Sequence, residues 1–161
     1  MFAFGYMSAM KQYLYFEDFE AGQRYDLGSI AVSEDAIIEF ASEFDPQPFH
    51  LDPKAGSDSM LGGLAASGWH TACLGMKLLY DGLIGHSSCQ GSPGINTLSW
   101  KRPVMPGDTL TGTAEILATR PLQSRDEMGL VTLLVSLANQ DKALVATYEN
   151  PVMFLKRKGG A

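Results

Sequence analysis

The side chains best suited to chemistry in this sequence are a carboxylate and an imidazole five residues apart. Asp45 and His50 have Pro46 and Pro48 between them. Proline fixes its own φ and biases the residue before it away from the helical region, so this segment is predicted to be extended and stiff. A carboxylate and an imidazole on a preorganised backbone are suited to activating water by acid–base catalysis. The competing interpretation is that Asp45 only ends a helix and His50 makes a structural hydrogen bond.

A second group with catalytic potential is the backbone at Ser67 and Gly68, where a long apolar run begins. A glycine at the start of a helix leaves backbone N–H groups open to an oxygen anion. The sequence therefore offers a candidate oxyanion site downstream of the candidate acid–base pair. Ser67 lacks the G-x-S-x-G pattern of a hydrolase nucleophile, which argues against a serine hydrolase. Trp69 is predicted to be a core residue or the wall of a pocket.

The elements that must position these residues follow an α+β plan. A helix is predicted from the N-cap Ser33 to Phe44, where Pro46 stops it, and a second helix over residues 68–84. Patterns of apolar, aromatic and β-branched residues, bounded by turns, predict strands at 13–19, 25–32, 94–101, 109–118, 128–137, 143–148 and 152–155. No repeat or linker divides the chain, so one domain is predicted.

The two predicted helices fix the surroundings of the site. The first has an apolar face at i, i+3, i+4 and i+7 from Ile37, and Asp45 follows its C-terminus. The negative end of the helix dipole is expected to disfavour the charge of Asp45, raise its pKa and make it a better base. The second helix is apolar nearly all round. It is therefore predicted to be buried, with a strongly curved sheet wrapped around it.

The motif D-P-Q-P-F-H-L-D, followed by A-S-G-W-H-T-A, resembles the signature of the MaoC-like dehydratase family, which includes the R-specific enoyl-CoA hydratases. The similarity runs from about Tyr15 to Phe154 and includes K-R-P-V-M-P-G-D-T-L. Asp45 and His50 fall on the Asp and His of the family pattern. Gly68 falls on the glycine whose N–H holds the thioester oxygen. The resemblance implies one hotdog domain, an antiparallel sheet wrapped around a central helix, which usually pairs into homodimers with the active site at or near the interface.

Two positions depart from the family pattern. Phe44 replaces the glycine before the Asp, and this residue cannot easily adopt a positive φ. Gln47 replaces Asn with the same amide on a longer side chain, and it is predicted to contact the substrate. These two changes are expected to affect the choice of substrate more than the reaction itself. Lys101 and Arg102 precede a turn and are candidates for binding coenzyme A phosphates, with a solvated strand end as the alternative.

Length and composition limit the remaining classes of function. A chain of 161 residues with 45% hydrophobic and 19% charged residues is typical of one soluble globular domain. The net charge of −6 argues against nucleic acid, because phosphate binding needs clustered Lys and Arg. Cys73 and Cys89 are too few for a disulfide framework, so a reducing, cytoplasmic compartment is expected. The N-terminus has neither a basic region nor a long apolar segment, so neither a signal peptide nor a membrane span is expected.

Two His-x2-Cys pairs are candidate zinc ligands, because histidine and cysteine side chains both bind zinc. His70 precedes Cys73 and His86 precedes Cys89 at the same spacing. Cys73 lies within the apolar helix, where a small thiol packs well. The sequence therefore favours no metal site.

The function predicted from these observations is a hydro-lyase that adds water to, or removes it from, the C2–C3 bond of an acyl-CoA-type thioester. Asp45 and His50 would be catalytic, and Gln47, Gly68, Trp69, Lys101 and Arg102 would bind the substrate. No metal or redox cofactor is required. The alternatives are a hotdog acyl-CoA thioesterase and a non-catalytic module that binds acyl thioesters. The predicted boundaries are an N-terminal extension at 1–12, the hotdog domain at 13–155 and a C-terminal tail at 156–161.

Overall fold

Residues in the second half of the chain alternate between buried and more exposed positions, as expected for the strands of a sheet. The computed structural model describes residues 12–159. Its strands are β1 (Arg24–Ala31), β2 (Cys89–Gly91), β3 (Thr97–Trp100), β4 (Thr109–Pro121), β5 (Met128–Ala138) and β6 (Leu144–Leu155). All strand pairs are antiparallel, the order is β1-β4-β5-β6-β2, and β3 also pairs with β6. Residues 1–11 of the predicted N-terminal extension, and Gly160 and Ala161 of the tail, lie outside the described residues.

Four helices accompany the sheet: α1 (Glu34–Phe44), α2 (Pro48–Leu51), α3 (Pro53–Ser57) and α4 (Gly68–Gly82). Ser33 caps α1 as predicted, because its hydroxyl accepts a hydrogen bond from the N–H of Ala36 at 3.2 Å. No helix among the described residues is both long and apolar enough to cross a membrane.

Helix α4 lies against the concave side of the sheet and completes the core. Leu79 is fully buried, and Gly75 lets the ring of Tyr148 approach so closely that a Cβ there would lie 3.0 Å from the ring. The helix ends at Gly82 rather than at residue 84. The prediction that it is buried all round is wrong, since Trp69 and Tyr80 are 58% and 57% exposed. In this single chain the sheet covers only one side of the helix, and a row of apolar side chains on the other side faces outward.

Two further local predictions are wrong for physical reasons. The segment from Asp45 to His50 is not extended throughout, because Pro48 occupies the first helical turn of α2, where a missing N–H costs nothing. The predicted strand at 13–19 is instead a short 3₁₀ turn, Phe16–Asp18. The Asp18 carboxylate accepts the N–H of Tyr15 at 2.8 Å and thereby stabilises this turn.

The two ends of the described chain meet beside this turn. The Arg157 guanidinium donates to Asp18 at 2.7 Å, and the Arg157 backbone N–H donates to Glu17 at 3.1 Å. Lys156 adds a backbone hydrogen bond to the carbonyl of Glu127 at 2.8 Å. The first residues of the predicted tail are therefore held against the rest of the domain.

Candidate active site

The loop between α1 and α2 brings the predicted acid–base pair together. Asp45 caps α1, with its N–H bonded to the carbonyl of Ala41 at 3.0 Å. Gln47 then turns the chain back, since its N–H donates to the carbonyl of Asp45 at 2.7 Å. His50 follows on the single turn of α2. Two side chains five residues apart thus face the same cleft.

The tautomer of the neutral His50 ring follows from its buried hydrogen-bond partner. Its ring is almost fully buried, and Nδ1 lies 2.6 Å from the carbonyl oxygen of Ala65. A carbonyl oxygen only accepts, so Nδ1 carries the proton and the lone pair of the neutral ring is on Nε2. Nε2 lies 3.6 Å from Oδ2 of Asp45. That separation is too long for a direct hydrogen bond and leaves both atoms able to contact one water molecule.

Asp45 is held ionised by its neighbours. The hydroxyl of Ser67 donates to Oδ2 at 2.6 Å, and the side-chain amide of Gln47 donates to Oδ1 at 2.8 Å. The hydrogen bond from Ser67 is the main reason that the pKa of Asp45 lies below its usual value. Partial burial opposes this shift, while the hydrogen bond from Gln47 adds to it, as does the positive charge of the His50 ring when that ring is protonated. The prediction that the helix dipole raises this pKa is therefore wrong, because direct donors outweigh the dipole.

Ser67 and Gly68 place a helix N-terminus beside the pair. Ser67 is fully buried and caps α4 by accepting the N–H of Trp69 at 3.2 Å. Its hydroxyl therefore accepts from the helix and donates to Asp45 at once. Gly68 is the first residue of α4, where an N–H has no acceptor within the helix. The 15-residue helix directs its positive end towards this position.

All seven predicted site residues line one cleft of about 420 Å³. Trp69 is a wall of this cleft rather than a core residue, and its indole meets that of Trp100 edge to face at 5.6 Å between centroids. Lys101 and Arg102 are exposed at the same cleft. Its lining comprises Asp45, Gln47, His50, Leu61, Ala66, Gly68, Trp69, Thr71, Trp100, Lys101, Arg102, Pro103 and Val104.

Phe44 shows why the missing glycine does not disturb the site. It is the last residue of α1 and points outward, with 65% of its surface exposed. Among the described non-glycine residues, Lys142 is the one with positive φ. The backbone at Phe44 thus has no conformation that requires glycine.

The two His-x2-Cys pairs do not converge. The His70 ring is buried and stacks on Phe40 at 4.7 Å between centroids, while Cys73 points to the exposed side of α4. Over residues 12–159 no group of three or more histidine, cysteine or acidic side chains is arranged to hold a metal ion. Whether the protein carries zinc remains a prediction to be tested.

Three contacts at the site were not foreseen. The hydrogen bond from the Ser67 hydroxyl to Asp45 joins residues 22 positions apart, so no local pattern in the sequence predicts it. The carbonyl that fixes the His50 tautomer belongs to the backbone of Ala65, so no residue type in the sequence indicates it. Trp100 lies at the end of a short strand and donates from its indole to the carbonyl of Gly68 at 2.8 Å. The sequence signal that could have indicated Trp100 as a site residue was its position directly before Lys101 and Arg102.

A curved antiparallel sheet wrapped around one long helix defines a hotdog-fold protein. The profile of the family described as "MaoC like domain" matches residues 18–139. The chain belongs to this family, the MaoC-like dehydratases, which confirms the resemblance seen in the sequence.

Individual relatives agree with this assignment. Uncharacterized protein YdeM of Bacillus subtilis (strain 168) is 35% identical over 138 residues, which are 85% of this chain and 96% of YdeM. The crystal structure of the MaoC-like dehydratase from Rhodospirillum rubrum superposes with a TM-score of 0.83 at 41% identity, over 90% of this chain and 99% of that one. The (R)-hydratase from A. caviae involved in PHA biosynthesis gives a TM-score of 0.69 at 28% identity, over 87% and 99% of the two chains.

Proposed function

We propose that this protein is a hydro-lyase that adds water across, or removes it from, the C2–C3 bond of a 2-enoyl or 3-hydroxyacyl thioester. The observation that carries the proposal is the 3.6 Å separation of Asp45 Oδ2 and His50 Nε2 in a cleft that also contains the N-terminus of α4. An anionic carboxylate and a neutral imidazole with its lone pair on Nε2 are suited to holding one water molecule between them. The (R)-hydratase among the structural neighbours supports the same reaction class.

In the hydration direction His50 is the better placed base. Asp45 is stabilised as an anion by two donors, which makes it a weaker proton acceptor and a good orienter of water. His50 Nε2 takes a proton as the water oxygen bonds to C3, and the C2–C3 π electrons move towards the thioester carbonyl. The Asp45 charge stabilises the imidazolium formed. The same proton then returns to C2, which gives syn addition and leaves both side chains as they began.

The enolate formed in this step carries its charge on the thioester oxygen. The N–H of Gly68, at the positive end of α4, is the donor proposed to stabilise that oxygen. No metal or redox cofactor enters the scheme. Lys101 and Arg102 at the rim of the cleft are the proposed partners of coenzyme A phosphates, and Gln47 and Trp69 the proposed contacts of the acyl group.

Hydration of a series of 2-enoyl-CoA substrates tests the proposal. We expect Asp45→Asn and His50→Ala each to lower kcat by about 10²–10⁴. Ser42→Ala is the matched control, because the Ser42 hydroxyl bonds only the carbonyl of Ile38 on the exposed side of α1. Wild-type rates in both site variants would refute the acid–base pair.

The same assay separates the competing functions. A thioesterase would release free coenzyme A thiol from a saturated acyl-CoA, whereas a hydratase would leave the thioester intact. A binding module would show saturable binding of acyl-CoA without either product. Stereochemical analysis of the 3-hydroxyacyl product would then decide whether the enzyme has the R specificity.

We also propose a homodimer formed through β3 and the exposed side of α4. Trp69, Met76 and Tyr80 on α4 are largely exposed, and Ile95 lies in the loop before β3. Within residues 12–159, β3 pairs with β6 alone and leaves its other edge open. A continuous apolar surface beside an open strand edge is suited to a second copy. Light scattering should show a dimer that Met76→Lys disrupts and that Leu117→Lys, on β4, does not.

A further inference from the structure

The Trp100 indole fills the space that a side chain at position 68 would need, and Gly68 leaves that space free. A Cβ built on Gly68 would lie 2.5 Å from Cε2 of the Trp100 indole and 2.8 Å from its Nε1. The indole N–H donates to the Gly68 carbonyl at 2.8 Å. One aromatic ring therefore packs on the α-carbon of the first residue of α4 and also binds its carbonyl oxygen. Gly68 is required for this close approach.

The backbone on either side of Trp100 is fixed by the sheet. Trp100 is the last residue of β3 and pairs with Ala146 of β6. The next residue, Lys101, donates its N–H to the carbonyl of Val145 at 2.7 Å. Val145 is fully buried, so the ring is carried by a rigid part of the core rather than by a free loop.

We propose that Trp100 is a positioning residue for the oxyanion site: through its contacts with Gly68 it fixes the first turn of α4 against the sheet. The inference rests on the proposed function for its catalytic meaning, but the positioning itself is a property of the fold. A donor stabilises developing charge best when it is already oriented. The Trp69 ring is set edge to face against Trp100 and supports its position.

This role separates Trp100 from the residues that would touch the reacting atoms. Its N–H is engaged with the Gly68 carbonyl, so it acts on the oxyanion site through the glycine. Loss of the indole donor should therefore lower kcat while KM changes little. The pH dependence set by Asp45 and His50 should also stay the same, because Trp100 makes no hydrogen bond to either side chain among those described.

Trp100→Phe is the decisive variant, since it keeps an aromatic ring on Gly68 and removes the donor. We expect a loss in kcat of roughly 10- to 100-fold, the effect that a small displacement of a catalytic group can have. Trp100→Ala should lose more. Ser42→Ala is the control, because it removes an exposed hydroxyl that bonds the carbonyl of Ile38 on α1, away from the cleft and from the proposed dimer surface. Its kcat should equal that of the wild type.

Hydrogen exchange supplies a readout that does not depend on turnover. In Trp100→Phe the amides of residues 67–72 should exchange faster than in the wild type, and in Ser42→Ala they should not. An unchanged exchange rate, or an unchanged kcat in an active enzyme, would overturn the positioning role. If the wild type hydrates no enoyl-CoA, the proposed function fails. The exchange rates then decide on their own whether Trp100 holds the first turn of α4.

Discussion

Ser67→Ala is the most informative single change in the cleft, because one hydroxyl serves two structural purposes. Its oxygen accepts the N–H of Trp69 as the cap of α4, and its hydrogen bonds Oδ2 of Asp45 at 2.6 Å. Ser67 is fully buried, so water cannot simply replace the hydroxyl. The variant should therefore weaken the helix start and the carboxylate together.

The size of the effect follows from these two contacts. Loss of a serine cap costs about 1 kcal/mol of unfolding free energy. A hydrogen bond to a charged group contributes about 1.5–3 kcal/mol. The Asp45 side chain remains 18% exposed, so water recovers part of the second contribution. We expect a total loss of about 2–3 kcal/mol, or about 5–10 °C in Tm for a chain of this size.

The pH dependence has a defined sign. The pKa of Asp45 is lower in the folded protein than in the unfolded chain, chiefly through Ser67. Stabilisation from such a group is present above the unfolded pKa of about 3.9 and is lost as the pH falls through the folded pKa. The difference in unfolding free energy between wild type and Ser67→Ala should thus be largest near neutral pH and smaller below about pH 4. Because Asp45 then takes up its proton at a higher pH, kcat/KM of Ser67→Ala should fall more steeply than that of the wild type below about pH 5.

Denaturant unfolding at several pH values, together with a pH profile of enoyl-CoA hydration, measures both effects. Ser42→Ala serves as the control for a serine that loses only an exposed bond to the carbonyl of Ile38. The reasoning is refuted if Ser67→Ala and Ser42→Ala have the same stability at neutral pH. It is equally refuted if kcat/KM falls with the same slope in Ser67→Ala and in the wild type at the acid end of the profile.

Three further predictions follow from the described contacts. Elemental analysis of protein purified without chelator should find no stoichiometric zinc; about one zinc per chain would contradict the scheme. Gly68→Val should lower kcat by about 10²–10³, because a Cβ collides with Trp100 at 2.5 Å, and normal turnover by the folded fraction would assign the glycine to packing alone. Tyr148→Phe should keep or raise Tm by a few degrees, since the buried Tyr148 hydroxyl has no hydrogen-bond partner within residues 12–159 and burial raises its pKa; a large fall in Tm would reveal a partner.

Local patterns in the sequence were sufficient for most of the elements. The cap at Ser33 and the apolar face that buries Ile37 and Ala41 depend on residues within two turns of helix, and α1 begins and ends where they predict. The alternation over β5 likewise predicts its buried side, because each strand residue contributes to one face. The family resemblance supplied the hotdog arrangement, which no local pattern contains.

Contacts between distant segments account for what the sequence did not reveal. The hydrogen bond that sets the pKa of Asp45 comes from Ser67 on another helix, whereas the predicted dipole effect used only α1. The exposed side of α4 was predicted to be buried because apolar residues do not show whether their own sheet or a second chain covers them. Trp100 was missed because its partner is a backbone carbonyl 32 residues away.

The contact between the chain ends imposes an order on folding. Arg157 and Glu17 are 140 residues apart, so their hydrogen bond closes almost the whole chain into one loop, at an entropic cost that other contacts must first offset. In the turn that contains Glu17, the ring of Phe16 packs on Gly129 of β5. Strand β5 has not yet been synthesised when this turn is made. On the ribosome, which releases the N-terminus first, this turn has no docking site until β5 and β6 have emerged. This turn is made before the strands on which it docks and is therefore among the last segments to acquire its native contacts.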